Sequence, residues 1–253
     1  MAIAIPATGL PRGRLEHHKE IVMKSGFRAL AALILGAVLA AVLPSAGGGW
    51  AHAKKDKKGK DEYLAAQAYL NAPPAAQAAV SRLLVNPFGE VDGLLLETGV
   101  IVTFPPHMGE LLAAAVKPGD AVDVKGYPEM PGQIKGYVIT NTRSNQTVVT
   151  HPKPPAGLKP PPHLRGIGLK EMSAQGEIRH VRHGGKGEVN GVILADGTIV
   201  RFPREVSWRF MQLFRVGQSI AATGYGTENA HGRAFVGTAL GPLGQPPQPV
   251  YAR

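Results

Sequence analysis

The chain contains no cysteine. Disulfides, thiolate metal sites and a cysteine nucleophile are therefore excluded, as is the thiol on which a bacterial lipoprotein carries its anchor. Aromatic residues make up only 6% of the 253 residues and charged residues only 18%. Acidic residues are the scarcer sign, 18 against 28 Lys and Arg. The longest apolar run, Ala29 to Leu43, has 15 residues, short of the roughly 20 that span a bilayer. No nucleophile–base pair, metal set or phosphate loop is visible, so the reading is non-enzymatic and implies no cofactor. What the chain has in quantity is Gly (32) and Pro (22), the residues of turns, short strands and unstructured connectors.

Residues 1–53 read as an N-terminal extension plus an export signal. Met23-Lys24-Ser25-Gly26-Phe27-Arg28 supplies a positive start, which makes Met23 a candidate true start. The apolar run follows, Pro44 breaks it, and Ala51-His52-Ala53 has the small-x-small pattern of a cleavage site. Cleavage near Ala53 would release a periplasmic or secreted protein with no transmembrane segment in the mature chain. The mature protein would open on Lys54-Lys55-Asp56-Lys57-Lys58-Gly59-Lys60. Of the formal net charge of +10, +7 lies beyond residue 53, and +4 of that sits in residues 54–60. Most of the basicity is therefore in a tail, where it is poor support for a nucleic-acid-binding face. Residues 54–76 read as this tail plus a short helix, Asp61 to Leu70, stopped by Pro73-Pro74.

The remainder is organised by a segment that occurs twice. Gly89-Glu90-Val91-Asp92-Gly93-Leu94-Leu95-Leu96-Glu97-Thr98-Gly99-Val100-Ile101-Val102-Thr103-Phe104-Pro105 returns as residues 187–203, without a gap, at an offset of 98 and with ten of 17 positions identical. An internal repeat fixes the domain count before any other reading. Each unit shows three strands, a helix and two strands. In the first these are Val80 to Val85, Val91 to Leu96, Val100 to Phe104, a helical face of Met108, Leu111, Leu112, Ala115 and Val116, then Ala121 to Tyr127 and Ile134 to Thr140. The offset carries Gly126-Tyr127 onto Gly224-Tyr225 and Tyr137-Val138 onto Phe235-Val236, which implies equal loop lengths. The units cover residues 77–143 and 175–241. A Pro-rich linker, 144–174, joins them, and a Pro-rich tail, 242–253, follows.

This order resembles the OB-fold superfamily, and more narrowly the exported tandem OB proteins of bacteria with motifs such as Gly-Glu-Val-Asp-Gly and Val-x-Phe-Pro. The resemblance covers both units, roughly half the chain. It implies a mainly β protein of two tandem five-stranded OB-like barrels, each with one helix between strands three and four. A β-sandwich or SH3-like barrel is the alternative, against which the mid-unit helix argues. Gly93 and Gly191 fall inside strand two, where curvature favours a residue without Cβ. The matched Asp92 and Asn190 read as turn or bulge chemistry.

OB domains commonly bind ligands on the face of strands two and three and the adjoining loops. There the units differ. Residues 78–143 hold five basic and seven acidic residues, and residues 176–241 eight and five. Arg182, His183, Lys186, Arg201, Tyr225, His231 and Arg233 are therefore the candidate ligand-binding residues, lining an anion-accepting groove on the second unit. The backbone of Gly184-Gly185 is available to help. Strands two and three lack the exposed aromatics on which single-strand binders stack bases. His180 and His183, three apart on a strand, point to opposite faces and make a poor metal pair. Trp208 and Met211 stand off the core stripe of the second helix, at the core edge or against the first unit or a partner. The expected function is an exported binding protein for an anionic ligand: oligosaccharide, nucleic acid or an acidic protein surface. The alternative is a structural or assembly protein of the envelope that binds protein partners.

Overall fold

A computed structural model describes residues 61, 63–152 and 168–251. The export signal, the basic stretch 54–60 and the greater part of the Pro-rich connector lie outside them. Among the described residues no helix is long and apolar enough to cross a membrane.

A short helix, α1 (63–69), precedes the first barrel. That barrel comprises β1 (Ala76–Val85), β2 (Val91–Leu96), β3 (Ile101–Thr103), a 3-10 turn (Pro106–Met108) running into α2 (Gly109–Ala115), β4 (Ala121–Met130) and β5 (Gln133–Asn141). A sixth strand, β6 (Thr147–Val149), adds to its edge. The second barrel repeats the order: β7 (Lys170–His183), β8 (Val189–Leu194), β9 (Ile199–Arg201), α3 (Arg204–Arg209), a 3-10 turn (Met211–Leu213), β10 (Ser219–Asn229), β11 (Gly232–Pro242) and β12 (Gln248–Pro249).

The sheet orders are β3-β2-β1-β4-β5-β6 and β10-β7-β8-β9-β11-β12. Parallel pairs β3–β5 and β9–β11 close the two cylinders, and every other pairing is antiparallel. Five strands closed in this way, with a helix after strand three, form an OB-like barrel. The protein is therefore mainly β, with two such barrels in tandem. Leu94, Leu96, Val102 and Phe104 fill the first interior, and Val192, Leu194, Val200 and Phe202 fill the second. The helices plug one end of each barrel. Leu112 of α2 and Val206 and Phe210 around α3 point into these cores, and Phe214 stacks on Phe202 with centroids 4.8 Å apart.

The duplicated glycines show why the barrels bend alike. Gly126 and Gly224 sit at matched β-bulges in strand four of each barrel. A Cβ on Gly126 would stand 1.9 Å from the Lys135 carbonyl oxygen, and one on Gly224 1.8 Å from that of Val236. No side chain fits where two backbones approach so closely.

Three sequence expectations need correction. The strands expected to stop at Tyr127 and resume at Ile134 are longer: β4 runs on to Met130, β5 starts at Gln133, and only Pro131-Gly132 turn the chain. The loop lengths are not all equal. Gly136 pairs with Gly126, but its counterpart paired with Gly224 is Gly237, so the offset grows to 101 beyond the hairpin. Both glycines face the matched pair Val102/Phe104 or Val200/Phe202, which confirms that equivalence. Finally, the repeat runs past the fifth strands. Val138 pairs with Val149, and Ala239 with Pro249, so β6 and β12 are matched strands lying in the stretches read as linker and tail.

The helix expected over Asp61 to Leu70 is present as α1. It lies on the outside of the first barrel, where Tyr69 stacks on Tyr137 at 5.1 Å and Lys125 Nζ donates to the Leu70 carbonyl.

Candidate functional site

The faces on which OB domains commonly bind ligands are turned toward each other. Ile193, Ile199 and Ala234 of the second barrel belong to the same buried apolar cluster as the core of the first. Matched residues meet across the joint with an approximate two-fold relation. A Cβ built on Gly99, in the β2–β3 turn, would lie 3.5 Å from the His180 ring, and one on its twin Gly197 would overlap the Arg82 guanidinium. Arg82 and His180 are themselves twins at the offset of 98.

Polar groups fasten the joint. Arg182 on β7 donates from Nη1 to Asp92 Oδ1 at 3.0 Å and from Nη2 to Oδ2 at 2.8 Å. Arg201 on β9 adds a third bond, Nη1 to Asp92 Oδ2 at 3.2 Å. Asp92 and Arg182 are each only 5% exposed. A planar guanidinium meeting a carboxylate through two parallel bonds is the strong, directional form of such a pair. Gln133 at the start of β5 clamps the His183 backbone. Its Nε2 donates to the His183 carbonyl at 2.9 Å, and its Oε1 accepts from the His183 N–H at 3.0 Å. The Gln133 amide also donates to Glu129. Asn229 Nδ2 donates to the Gly89 carbonyl at 2.8 Å.

The seven sequence-predicted residues therefore divide. Arg182 and Arg201 spend their charge on Asp92, and the His183 backbone is tied to Gln133; these three come together, but inside the joint. Lys186 is exposed, yet the loop around it does not present an open backbone nest. Its own N–H donates to Glu188 Oε2, and that carboxylate also lies against Gly184. Tyr225 and His231 are exposed on the β10–β11 hairpin. Arg233 lies on β11, where Nη2 donates to the Ser173 carbonyl at 2.7 Å and Nε stands 4.0 Å from Glu228. No group of three metal-ligating side chains occurs among the described residues.

Sequence reading missed Asp92 and Gln133. Asp92 was read with Asn190 as turn chemistry. Asn190 fits that reading: with its amide oriented to suit its neighbours, it donates to the Arg182 carbonyl and accepts from the Gly184 N–H. Asp92 does something else. The available signal was divergence between the copies. Asp92 replaces Asn190, Arg182 replaces Leu84, and Arg201 replaces Thr103, so an anion appears in one copy and two cations in the other.

The joint carries two cations on one anion. Burial pulls the Arg201 pKa down to about 10, with the Arg182 charge acting the same way and Asp92 opposing both. Arg201 thus stays charged at neutral pH. Two histidines at the joint are lowered from 6.5: His180 by burial first, then by Arg82 and Arg179, against a hydrogen bond with the Gly99 backbone, and His183 by burial. Well above pH 6.5 these rings are neutral in folded and unfolded chains alike. Below it the unfolded chain takes up protons first, so stability falls as pH drops through the folded-state values. The thermal midpoint is expected to decline between about pH 7.5 and about pH 5, the range over which histidines titrate. The decline should be shallower in the His180→Gln/His183→Gln variant, and equal slopes for the two proteins would refute this assignment.

No family model matches the chain, and no curated protein matches it. Among solved structures, it is similar to the single-stranded DNA-binding protein from Thermus aquaticus, at 13% identity and a TM-score of 0.22, over 68% of this chain and 92% of that one. A deletion variant of the same protein gives 15% identity and a TM-score of 0.23, over 69% of this chain and 97% of that one. At such scores the superposition is poor, and it is strand order and barrel closure that identify this chain as a pair of OB-like barrels.

Proposed function

We propose that this is an exported, non-enzymatic assembly protein whose two barrels act as one rigid body and engage protein partners through surfaces other than the strand-two and strand-three faces. The observation that carries this reading is the joint itself. The faces that would accept an oligonucleotide or oligosaccharide are packed together, and the two arginines best placed to attract an anion are already bonded to Asp92. What remains for an anionic ligand is the rim of Lys186, Tyr225, His231 and Arg233. That is sparse footing for a polyanion, whose affinity grows with the number of phosphates or sulfates neutralised.

The test is a titration of labelled oligo(dT) and labelled heparin at low salt, with wild type beside the Lys186→Ala/Arg233→Ala variant. Weak binding, equal in both proteins and abolished by moderate salt, is expected. A tight complex lost in the variant would overturn the assembly reading and restore the anion-binding one. Export rests on the pattern in residues 23–53. N-terminal sequencing of the protein from the envelope fraction should give a chain starting at Lys54, and a full-length chain confined to the cytosol would refute it.

A further inference from the structure

The plug of the second barrel carries a surface that the plug of the first does not. Trp208 is 68% exposed, Met211 53% and Val216 64%. They sit on α3, the 3-10 turn and the bend that follows, within nine residues of one another. Arg204, Arg209 and Arg215 lie among them and are exposed. None of these arginines has a carboxylate partner among the described residues: Arg209 donates to the Pro249 carbonyl at 3.3 Å and lies over the Phe210 ring, and Arg215 donates to the Gln212 side chain. Glu205 is the single acidic residue in this stretch.

The first barrel is an internal control. Its plug has the same buried residues, Met108, Leu112 and Val116 against Val206, Phe210 and Phe214. At the outward positions Glu110 stands for Trp208, Ala113 for Met211, Pro118 for Val216 and Pro106 for Arg204. Leu111, the twin of Arg209, is the one large apolar side chain exposed there, and the exposed Lys117 is the basic counterpart of Arg215. The fold therefore does not require an exposed tryptophan or this arginine cluster. It tolerates them in one copy, where they leave apolar area and positive charge uncovered.

Building on the assembly reading above, we propose that this plug face is the docking surface for an acidic segment of a protein partner. Apolar side chains of the partner would cover Trp208, Met211 and Val216, and its carboxylates would pair with Arg204, Arg209 and Arg215. The composition is that of a protein interface centre, enriched in tryptophan, methionine and arginine and free of lysine. Guanidinium groups suit carboxylates through two-point pairing. A membrane surface fits less well, because an interfacial helix buries an apolar face of several bulky side chains and α3 exposes one, Trp208. Single-stranded nucleic acid fits less well too, because it is held by successive stacking platforms along a groove, and Trp208 is the one exposed aromatic on this plug.

The experiment places the photocrosslinker p-benzoyl-phenylalanine at position 211 of the full chain, or, as a control on the exposed face of the first plug, at position 111, in the cells that make the protein. Crosslinked peptides are then identified by mass spectrometry. The expected result is one protein adduct from position 211, at least tenfold above position 111, joined at a segment rich in Asp and Glu. It should fall at least tenfold in the Arg204→Glu/Arg209→Glu background, with the thermal midpoint unchanged. Adducts with lipid or nucleic acid, a joined segment without acidic excess, or equal yields from the two positions would overturn the proposal. Further crosslinker positions at Tyr127 and Leu243, both exposed, separate the two levels of the claim. Protein adducts there but not at 211 would remove this surface and leave the assembly reading standing. No protein adduct from any position would remove both.

Discussion

Asp92→Ala is expected to destabilise the protein by about 3–5 kcal/mol, the usual cost of removing one partner from a buried ion pair. Here the loss leaves two arginines facing each other. The Arg182 and Arg201 side chains are 6% and 22% exposed, and Arg182 Nε has no hydrogen-bond partner even in the intact joint. Asp92→Asn separates charge from shape, because the twin position already holds Asn190 and the backbone there accepts asparagine. It should cost nearly as much as alanine. The triple variant Asp92→Asn/Arg182→Leu/Arg201→Thr gives each residue the side chain of its twin, Asn190, Leu84 or Thr103. Replacing a buried ionic cluster with well-packed neutral residues is often neutral or better, so the triple variant should recover most of the loss. Urea denaturation read by circular dichroism measures all three. If Asp92→Ala costs less than about 1 kcal/mol, in the range of an exposed pair, the triad is not holding the joint.

The barrels were legible because their signals are local and duplicated. The apolar run Leu94 to Leu96, the Phe-Pro stops after strand three and the doubled Gly126 and Gly224 all report the path of the backbone, and the second copy repeats each one. Features fixed by distant partners were not legible. The short strands β6 and β12 contribute few ladder bonds, and Pro249 argues against a strand; at a sheet edge, though, the missing N–H costs little. The extra length of the β10–β11 hairpin was hidden because Phe235-Val236 resembles Tyr137-Val138 at the unchanged offset. Strand pairing reveals it, in the closing pairs Ile101–Gln133 and Ile199–Ala234 as in the hairpin pairs of Gly126 and Gly224. The candidate site misled for a related reason. Arg182 and Arg201 were correctly seen as positive charge added to one copy, but charge added to a loop or strand does not say whether it faces solvent. The counter-charge was 90 residues away in a position that looked like turn chemistry.

The joint also predicts what happens when the connection between the barrels is cut. With a protease site placed within residues 155–165, the cleaved halves are expected to elute as one species of the intact mass. Ile193, Ile199 and Ala234 cluster with the first barrel's core, so separation would return that apolar surface to water together with the Asp92–Arg182 pair. Apolar burial contributes about 25 cal/mol per Å², and a face of this kind behaves as a core cut in two rather than as a transient contact. Ile193→Asp/Ile199→Asp should reverse the outcome. Each aspartate would have to enter an apolar joint without a counter-ion, at several kcal/mol apiece. The uncut variant would stay in one piece because the chain holds the halves at high effective concentration, whereas the cut variant would fall apart. Parting of the cleaved wild-type halves at micromolar concentration would show that the barrels merely touch. The strand-two and strand-three faces would then be open to ligands, and the anion-binding reading of the second barrel would regain its footing.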